Sequence, residues 1–413
     1  MRDQNGAAPL PIAAIQHPFQ MAIALSFGAA IALGLSRFSY GLLLPPMRAD
    51  LEWSYLLAGG LNTANAVGYL LGVLLTPRTL RAVGTRGLLI WGAALSCLFM
   101  FLPGITVHPH VLLVLRLLSG IASAFVFIAG GILAARLASL HGKNSGLILG
   151  IYYGGTGIGI MLSALLIPLA MGWADAQGHM HSWQIAWWVL ALACLIAAVI
   201  AALPSRRIGE PDIATEEDGK FALRDFTFGL AGYLMFGVGY IGYMTFVAAL
   251  LKEQGLSDVT VNAFYFMLGT AVLVSSRIWA GLLDRYKGGQ PLAVLNAILG
   301  CACILPVVTT NLILIFVSGL VFGGVFLSVV TSTTALVRHN LPQSAWSAAI
   351  SAFTGAFALG QIIGPAAVGG IADTPAGLEL GLALSAATLF IGALLAWRQK
   401  ELVASPVLSR QRA

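Results

Sequence analysis

Polar positions along this chain are few and clustered, and long apolar stretches run between them. Twelve such stretches can be read, at 19–44, 54–75, 87–106, 110–135, 146–171, 184–203, 226–250, 260–283, 291–309, 312–337, 345–371 and 377–397. Each approaches or exceeds the roughly 20 residues that carry a helix across a bilayer. Apolar residues run on continuously within them instead of alternating with a period of two, so they do not read as barrel strands. A segment in hydrocarbon must satisfy its own backbone hydrogen bonds, which makes each stretch a helix. The pattern predicts an all-α polytopic membrane protein with 12 transmembrane helices.

The longest polar segment, 204–223, falls at the midpoint and holds Arg206, Arg207, Glu210, Asp212 and three consecutive acids at Glu216, Glu217 and Asp218. It reads as a flexible linker between a six-helix bundle at 1–203 and a second at 224–413. The two bundles look like a repeat. Gly34 and Tyr40 recur 203 residues later as Gly237 and Tyr243, Ser119-Gly120 recurs after 199 as Ser318-Gly319, and Gly154 and Gly159 recur after 201 as Gly355 and Gly360. Repeats of this kind place a substrate site near the bilayer midplane where the halves meet.

Composition agrees with the pattern: 58% of residues are hydrophobic and 9% charged, and the mean hydropathy is +0.89. The formal net charge of +6 could suggest nucleic acid, but its placement argues otherwise. With the N-terminus in the cytoplasm, only Arg48 and Lys252 of the 22 Lys and Arg fall in outer loops, while Arg37, Arg116 and Arg277 fall within spans. All the others lie on the inner side, the positive-inside signature for cytoplasmic N- and C-termini. The basic balance is therefore a sign of topology in an inner (plasma) membrane, with lipid and not nucleic acid as the surrounding partner. Residues 1–18 lack the basic-then-apolar order of a cleaved signal, so the first helix is expected to remain as an anchor. Cys97, Cys194, Cys301 and Cys303 all sit in apolar segments and read as buried inert thiols.

Four local patterns resemble the major facilitator superfamily. In the fourth span, Arg116-Leu-Leu-Ser-Gly120 resembles its R-x-x-x-G motif. After span 8, Gly281-Leu-Leu-Asp284-Arg285-Tyr-Lys-Gly288 resembles its cytoplasmic D-R-x-x-G hinge. The matching loop after span 2 keeps Arg78 and Arg81 but has no acid. Span 5, around Gly150, Gly154, Gly155, Gly157 and Gly159, is glycine-rich like the antiporter motif without its proline, and span 11 carries a proline at Pro365. Ser36-Arg37-Phe-Ser-Tyr40-Gly41 resembles the YbfB/YjiJ-type branch. The resemblance implies two halves rocking about a central site, a coupling or structural part for Arg116 and Gly120, and a gating part for Asp284, Arg285 and Arg78.

The stretch with most chemical content is Leu33-Gly-Leu-Ser-Arg37-Phe-Ser-Tyr40-Gly-Leu-Leu-Leu-Pro45-Pro46, where Arg37 is the only charge from Phe19 to Leu44 and a double proline closes the run. A guanidinium at membrane depth is costly and marks a functional position by default. All 16 acidic residues fall in loops, termini or span ends, so no carboxylate stands mid-span opposite the three arginines. An unpaired buried charge costs several kcal/mol; an anionic substrate, gripped bidentately by guanidinium, would offset it.

Arg37, with Tyr40 three residues on, is the first candidate for the substrate site, and snorkelling toward the outer interface is the alternative. Arg277, in Ser275-Ser276-Arg277, resembles the arginine of monocarboxylate transporters in the same span; its alternative is snorkelling or pairing near Asp284. Tyr240 is the repeat counterpart of Arg37. Tyr152, Gln361, Asn62, Asn65 and Tyr69 offer hydrogen bonds, with inter-helix bonding as the ordinary role for each.

No G-x-x-x-x-G-K-[ST] supports ATP drive and no cofactor is implied. His108, His110, His179 and His181 lie in loops without the carboxylates or cysteines of a metal site. Neither a nucleophile with its base nor a metal set stands at membrane depth, so the chain is not expected to be an enzyme. Two readings remain: a secondary transporter of a small carboxylate-like organic anion, working as a monomer, or a proton-coupled exporter of drugs and amphipathic compounds.

Overall fold

The structure, a computed structural model, describes residues 17–141, 144–208, 221–275 and 278–402. Ten helices among the described residues are long and apolar enough to cross a membrane, and Asp258–Val274 is a shorter apolar helix. In chain order the helices are α1 Pro18–Leu51, α2 Tyr55–Phe101, α3 Pro109–Ser139, α4 Ser145–Ala176, α5 Ser182–Ser205, α6 Thr227–Glu253, α7 Asp258–Val274, α8 Ala280–Arg285, α9 Gln290–Val308, α10 Leu312–Asn340, α11 Trp346–Ala372 and α12 Gly377–Trp397. Starts are marked by groups that satisfy otherwise orphaned amides: Ser54 accepts from the Leu57 amide, Ser257 from the Thr260 amide, and Asn311 from Ile313 and Leu314.

Large apolar side chains point away from the bundle as well as into it. Leu169, Leu394, Trp91 and Trp397 are all more than half exposed, the outer face expected where lipid is the solvent.

Three expectations about the elements change. Pro45 and Pro46 do not close the first helix; they sit inside it. The helix runs on to Leu51 and ends at Glu52, which takes a left-handed conformation with φ 53°. Spans 2 and 3 are written into one continuous element, α2, broken at Gly84, whose φ of 72° and ψ of 171° no β-carbon would tolerate easily. Span 8 ends early at Val274, and a separate short helix, α8, carries the chain through Asp284.

Glycine contacts set how closely helices approach, and they recur at the offsets of the repeat. A β-carbon on Gly34 would lie 2.4 Å from the Gly159 Cα, and one on Gly360 would lie 2.9 Å from the Gly237 Cα. The first pair joins α1 to α4 and the second α6 to α11. Likewise, a β-carbon on Gly72 would meet the Ala124 Cβ at 2.7 Å, and one on Gly323 the Ala271 Cβ at 2.9 Å, with glycine and alanine exchanged between the partners. Such small-on-small contacts let helix backbones touch where apolar driving force is weak.

Between Ala30 and Phe38 the first helix is a nine-residue π-helix, with the Ser39 amide donating to the Gly34 carbonyl five residues back. π-helical turns are uncommon and gather at functional sites. This one carries Arg37.

Candidate functional site

Arg37 is buried, and it points inward: its Nη2 donates to Gln361 Oε1 at 2.7 Å, and Gln361 Nε2 donates to the Tyr240 hydroxyl at 2.5 Å. The guanidinium also lies 5.5 Å from the Tyr69 ring centroid. Four helices, α1, α2, α6 and α11, thus meet at one charge. Gln361 is four residues before Pro365, a proline inside α11 that leaves the Gln361 carbonyl without its helical donor and loosens the turn. Thr63 of α2 donates to the neighbouring Ile362 carbonyl at 3.0 Å, which holds the loosened turn against α2.

Arg37 is under-satisfied. Its Nε is buried with no partner, and among the described residues no carboxylate pairs with it. A guanidinium offers five N–H donors, and only the bond to Gln361 uses one. Outward snorkelling does not occur.

Arg116 is equally buried and its Nε likewise has no partner, but both of its terminal nitrogens are bonded. Its Nη1 donates to the Ser36 carbonyl at 2.6 Å and its Nη2 to Asn62 Oδ1 at 3.3 Å, and its charge sits over the rings of Tyr40 at 4.8 Å and Trp187 at 5.8 Å. Ser36 belongs to the π segment, and its hydroxyl is shared with Ser119 and Ser123 of α3 at 2.8 and 2.9 Å. Asn62 continues the chain, donating to Thr245 of α6 at 2.6 Å. Arg116 thereby ties α1, α2 and α3 together.

Tyr40 belongs to Arg116 and not to Arg37. Its hydroxyl donates to the Ala58 carbonyl at 2.7 Å. The spacing that puts residues three apart on one face holds for an α-helix; the wider π turn at Arg37 rotates the two side chains apart. Tyr152 is also turned away, donating to the Phe127 carbonyl at 2.7 Å while its ring lies over Gly130. Gly120 makes a close crossing, its β-carbon position 2.1 Å from the Asn65 carbonyl oxygen. Arg78 is exposed inside α2, six residues before the break at Gly84, Asp284 and Arg285 are exposed at the end of α8, and no ion pair joins them among the described residues. Arg285 instead rests over Tyr286. Arg277 lies outside the described residues.

Sequence reasoning missed a latch at the opposite end of the bundle. Asp373, at the end of α11, accepts from the Tyr55 amide at 2.6 Å and the Leu56 amide at 2.9 Å, at the first turn of α2. The Tyr55 hydroxyl donates to Glu253 at the end of α6, and Arg48 lies 3.7 Å above the Tyr55 ring. Tyr55 is thus held from α6 and α11 together. Helix-end acids 198 and 318 residues away give no local signal of this. Nearby, His181 pairs with Asp50 at 2.6 Å. No metal-holding cluster occurs among the described residues.

Comparison with known proteins extends the picture. The family described as "Uncharacterised MFS-type transporter YbfB" matches residues 29–397. A gallate transporter of Pseudomonas putida is 26% identical across 93% of this chain and 92% of its own length. A chloramphenicol resistance protein of Streptomyces lividans is 25% identical across 66% of this chain and 68% of its own. Among solved structures, a variant of the nucleoside transporter NupG superposes with a TM-score of 0.70 at 13% identity, covering 92% of this chain and 98% of that one. A bacterial homologue of the human lysosomal transporter Spinster, inward-facing and unoccupied, gives 0.68 at 13% identity, covering 94% and 97%. At such identities the structural likeness establishes fold alone. With nearly the whole helical bundle inside the family match, this chain belongs to the YbfB-type major facilitator family, membrane transporters and not enzymes.

Proposed function

We propose that this protein is a secondary active transporter that carries a small organic anion across the inner (plasma) membrane by alternating access, with Arg37 as the group that binds the substrate. The observation that carries this is the buried, under-satisfied Arg37, held by Gln361 and Tyr240 and without an acidic partner among the described residues. A buried cation kept without a counter-ion is stabilised when an anion arrives. The gallate transporter among the relatives, whose substrate is an organic acid, supports the same reading.

The architecture we infer has 12 transmembrane helices in two pseudo-symmetric six-helix bundles, 1–203 and 224–413, joined by a linker at 204–223, with both termini cytoplasmic and one chain as the working unit. Counting α2 as two passes about Gly84 and α7 as a pass gives that number, and the recurring glycine contacts support the repeat. In this orientation the latch at Tyr55, Glu253 and Asp373 closes the outer end. Breaking it and closing the inner end around Asp284, Arg285 and Arg78 would be the opposite state. Arg116 holds the π segment in place, Gly120 lets α3 close on α2, and Tyr240 and Gln361 complete the substrate site from the other half. Tyr40 serves the site through Arg116, Tyr152 serves it only by packing, and Arg277, which lies outside the described residues, is proposed as a second cation.

The chloramphenicol resistance relative favours a second reading, a proton-coupled exporter of amphipathic compounds. Thermal unfolding of the purified protein against small carboxylates, sulfonates, cations and lipophilic drugs separates the two, because a ligand of the folded state raises the melting temperature. Stabilisation by an anion class, lost in Arg37→Ala, is the expected result. Stabilisation by cations or drugs, unchanged in Arg37→Ala, overturns the anion reading in favour of the exporter.

A further inference from the structure

Beside Arg37 stands a bank of aromatic rings in one orientation. Tyr240 stacks on Phe236 at 4.8 Å and 19°, on Phe357 at 5.5 Å and 16°, and on Phe326 at 5.9 Å and 7°. Phe357 in turn stacks on Tyr233 at 5.0 Å and on Phe236 at 5.4 Å, both within 16° of parallel. The rings come from α6, α10 and α11. From α2 comes Tyr69, whose ring centroid lies 5.5 Å from the Arg37 guanidinium. Tyr69 and Phe357 are only half-buried, unlike Tyr240, Phe236 and Phe326. Neither of these two rings is sealed in the bundle, and both belong to the surroundings of a buried guanidinium whose Nε has no partner.

Resting on the anion reading above, we propose that the substrate is an aromatic carboxylate: its carboxylate on Arg37, its ring against the Phe357–Tyr240 bank with Tyr69 opposite. Near-parallel offset rings are the arrangement that accepts one more flat ring at ordinary stacking distance. A saturated acid of the same charge and size would pair with Arg37 but gain nothing from the ring faces beyond area. Gln361, bonded both to Arg37 and to the Tyr240 hydroxyl, fixes the height of the carboxylate relative to the bank.

The probes are benzoate, cyclohexanecarboxylate and benzamide, measured by calorimetry or thermal shift on the full-length protein, on Phe357→Leu, Tyr69→Leu and Arg37→Gln. Benzoate should bind about three- to tenfold more tightly than cyclohexanecarboxylate, the range of aromatic pairing beyond area burial. Phe357→Leu or Tyr69→Leu should bring that ratio to about one, a readout in which any loss common to both acids cancels, and Arg37→Gln should remove both acids. Equal binding of the two acids overturns the aromatic assignment and leaves the anion reading standing. Benzamide binding as tightly as benzoate, or neither acid binding a protein that still melts cooperatively, overturns the anion reading itself and this assignment with it. A ratio unchanged in both leucine variants also overturns the placement of the ring.

Discussion

Arg37 and Arg116 are equally buried and lie on packed helices, yet their removal should have opposite signatures. Arg116→Ala deletes hydrogen bonds to the Ser36 carbonyl and to Asn62, and contacts with the Tyr40 and Trp187 rings. Hydrogen bonds from a charged group contribute about 1.5–3 kcal/mol each, and the ring contacts about 1 kcal/mol each. Removing the buried charge offsets several kcal/mol of that. The Ser36 carbonyl loses its guanidinium donor. A net loss of about 3 kcal/mol follows. Spread over 413 residues, at about 2.1 cal/mol/K of unfolding entropy per residue, that is about 3–4 °C in melting temperature. Arg37→Ala deletes one bond to Gln361, which keeps Tyr240, and relieves the same desolvation, so its melting temperature should stay within about 1 °C of the parent. The assay is fluorescence-detected melting in one detergent at one scan rate, since such unfolding is read as an apparent midpoint. The reasoning is refuted by Arg37→Ala falling as far as Arg116→Ala. It is equally refuted by Arg116→Ala melting like the parent.

Helix contacts and the latch at Asp373 give two further tests. A β-carbon on Gly155 would sit 1.9 Å from the Ser26 carbonyl oxygen, whereas one on Gly146 of the same helix meets nothing within 4 Å. Gly155→Ala should therefore lose about 1–3 kcal/mol by overpacking, while Gly146→Ala gains about 0.5–1 kcal/mol of helix preference, read as melting shifts of opposite sign. Asp373→Asn weakens two amide bonds at the start of α2. Discounted for exposure, the loss is about 1 kcal/mol, or about fivefold in the balance of outer-open to outer-closed states. In a protein freed of its native cysteines and carrying Thr63→Cys, Asp373→Asn should speed labelling by an impermeant maleimide about fivefold. An unchanged rate would mean the latch does not hold that end shut.

What could be read from the chain beforehand follows from which interactions are local. The helices were legible because an apolar run in lipid admits one backbone form, and most of their ends moved by only a few residues, those expected at Leu44, Leu75 and Leu283 by more. Where the reading failed, a distant partner decided. Pro45 and Pro46 look like a stop, but α1 continues through them to Leu51. The π segment has no signature in Ala30–Phe38, yet it decides which neighbours Arg37 has, sending Tyr40 to Arg116. Arg37, Tyr240 and Gln361 were each legible as candidates and do come together. Thr245, Asp373 and Glu253 carried no local sign, because their partners lie far away in sequence.

The repeat shows why the two halves differ in chemistry while agreeing in shape. Glycine pairs at matching offsets fix the same helix crossings in each, so backbone geometry is held in common. Side chains at matching positions are not. Arg37 corresponds to Tyr240, and the two meet through Gln361. Arg116 corresponds to Ile315, and where that charge is missing, Tyr243, the counterpart of Tyr40, bonds to Ser318 at 2.6 Å instead of lying beneath a guanidinium. Among the described residues the buried guanidiniums, Arg37 and Arg116, thus fall in the first half of the chain and the stacked rings around Tyr240 in the second. A substrate that needs both must touch both, and it can do so only where the halves meet. Ligand affinity then depends on the relative position of the halves, which is the condition for a substrate to bias the rocking that carries it.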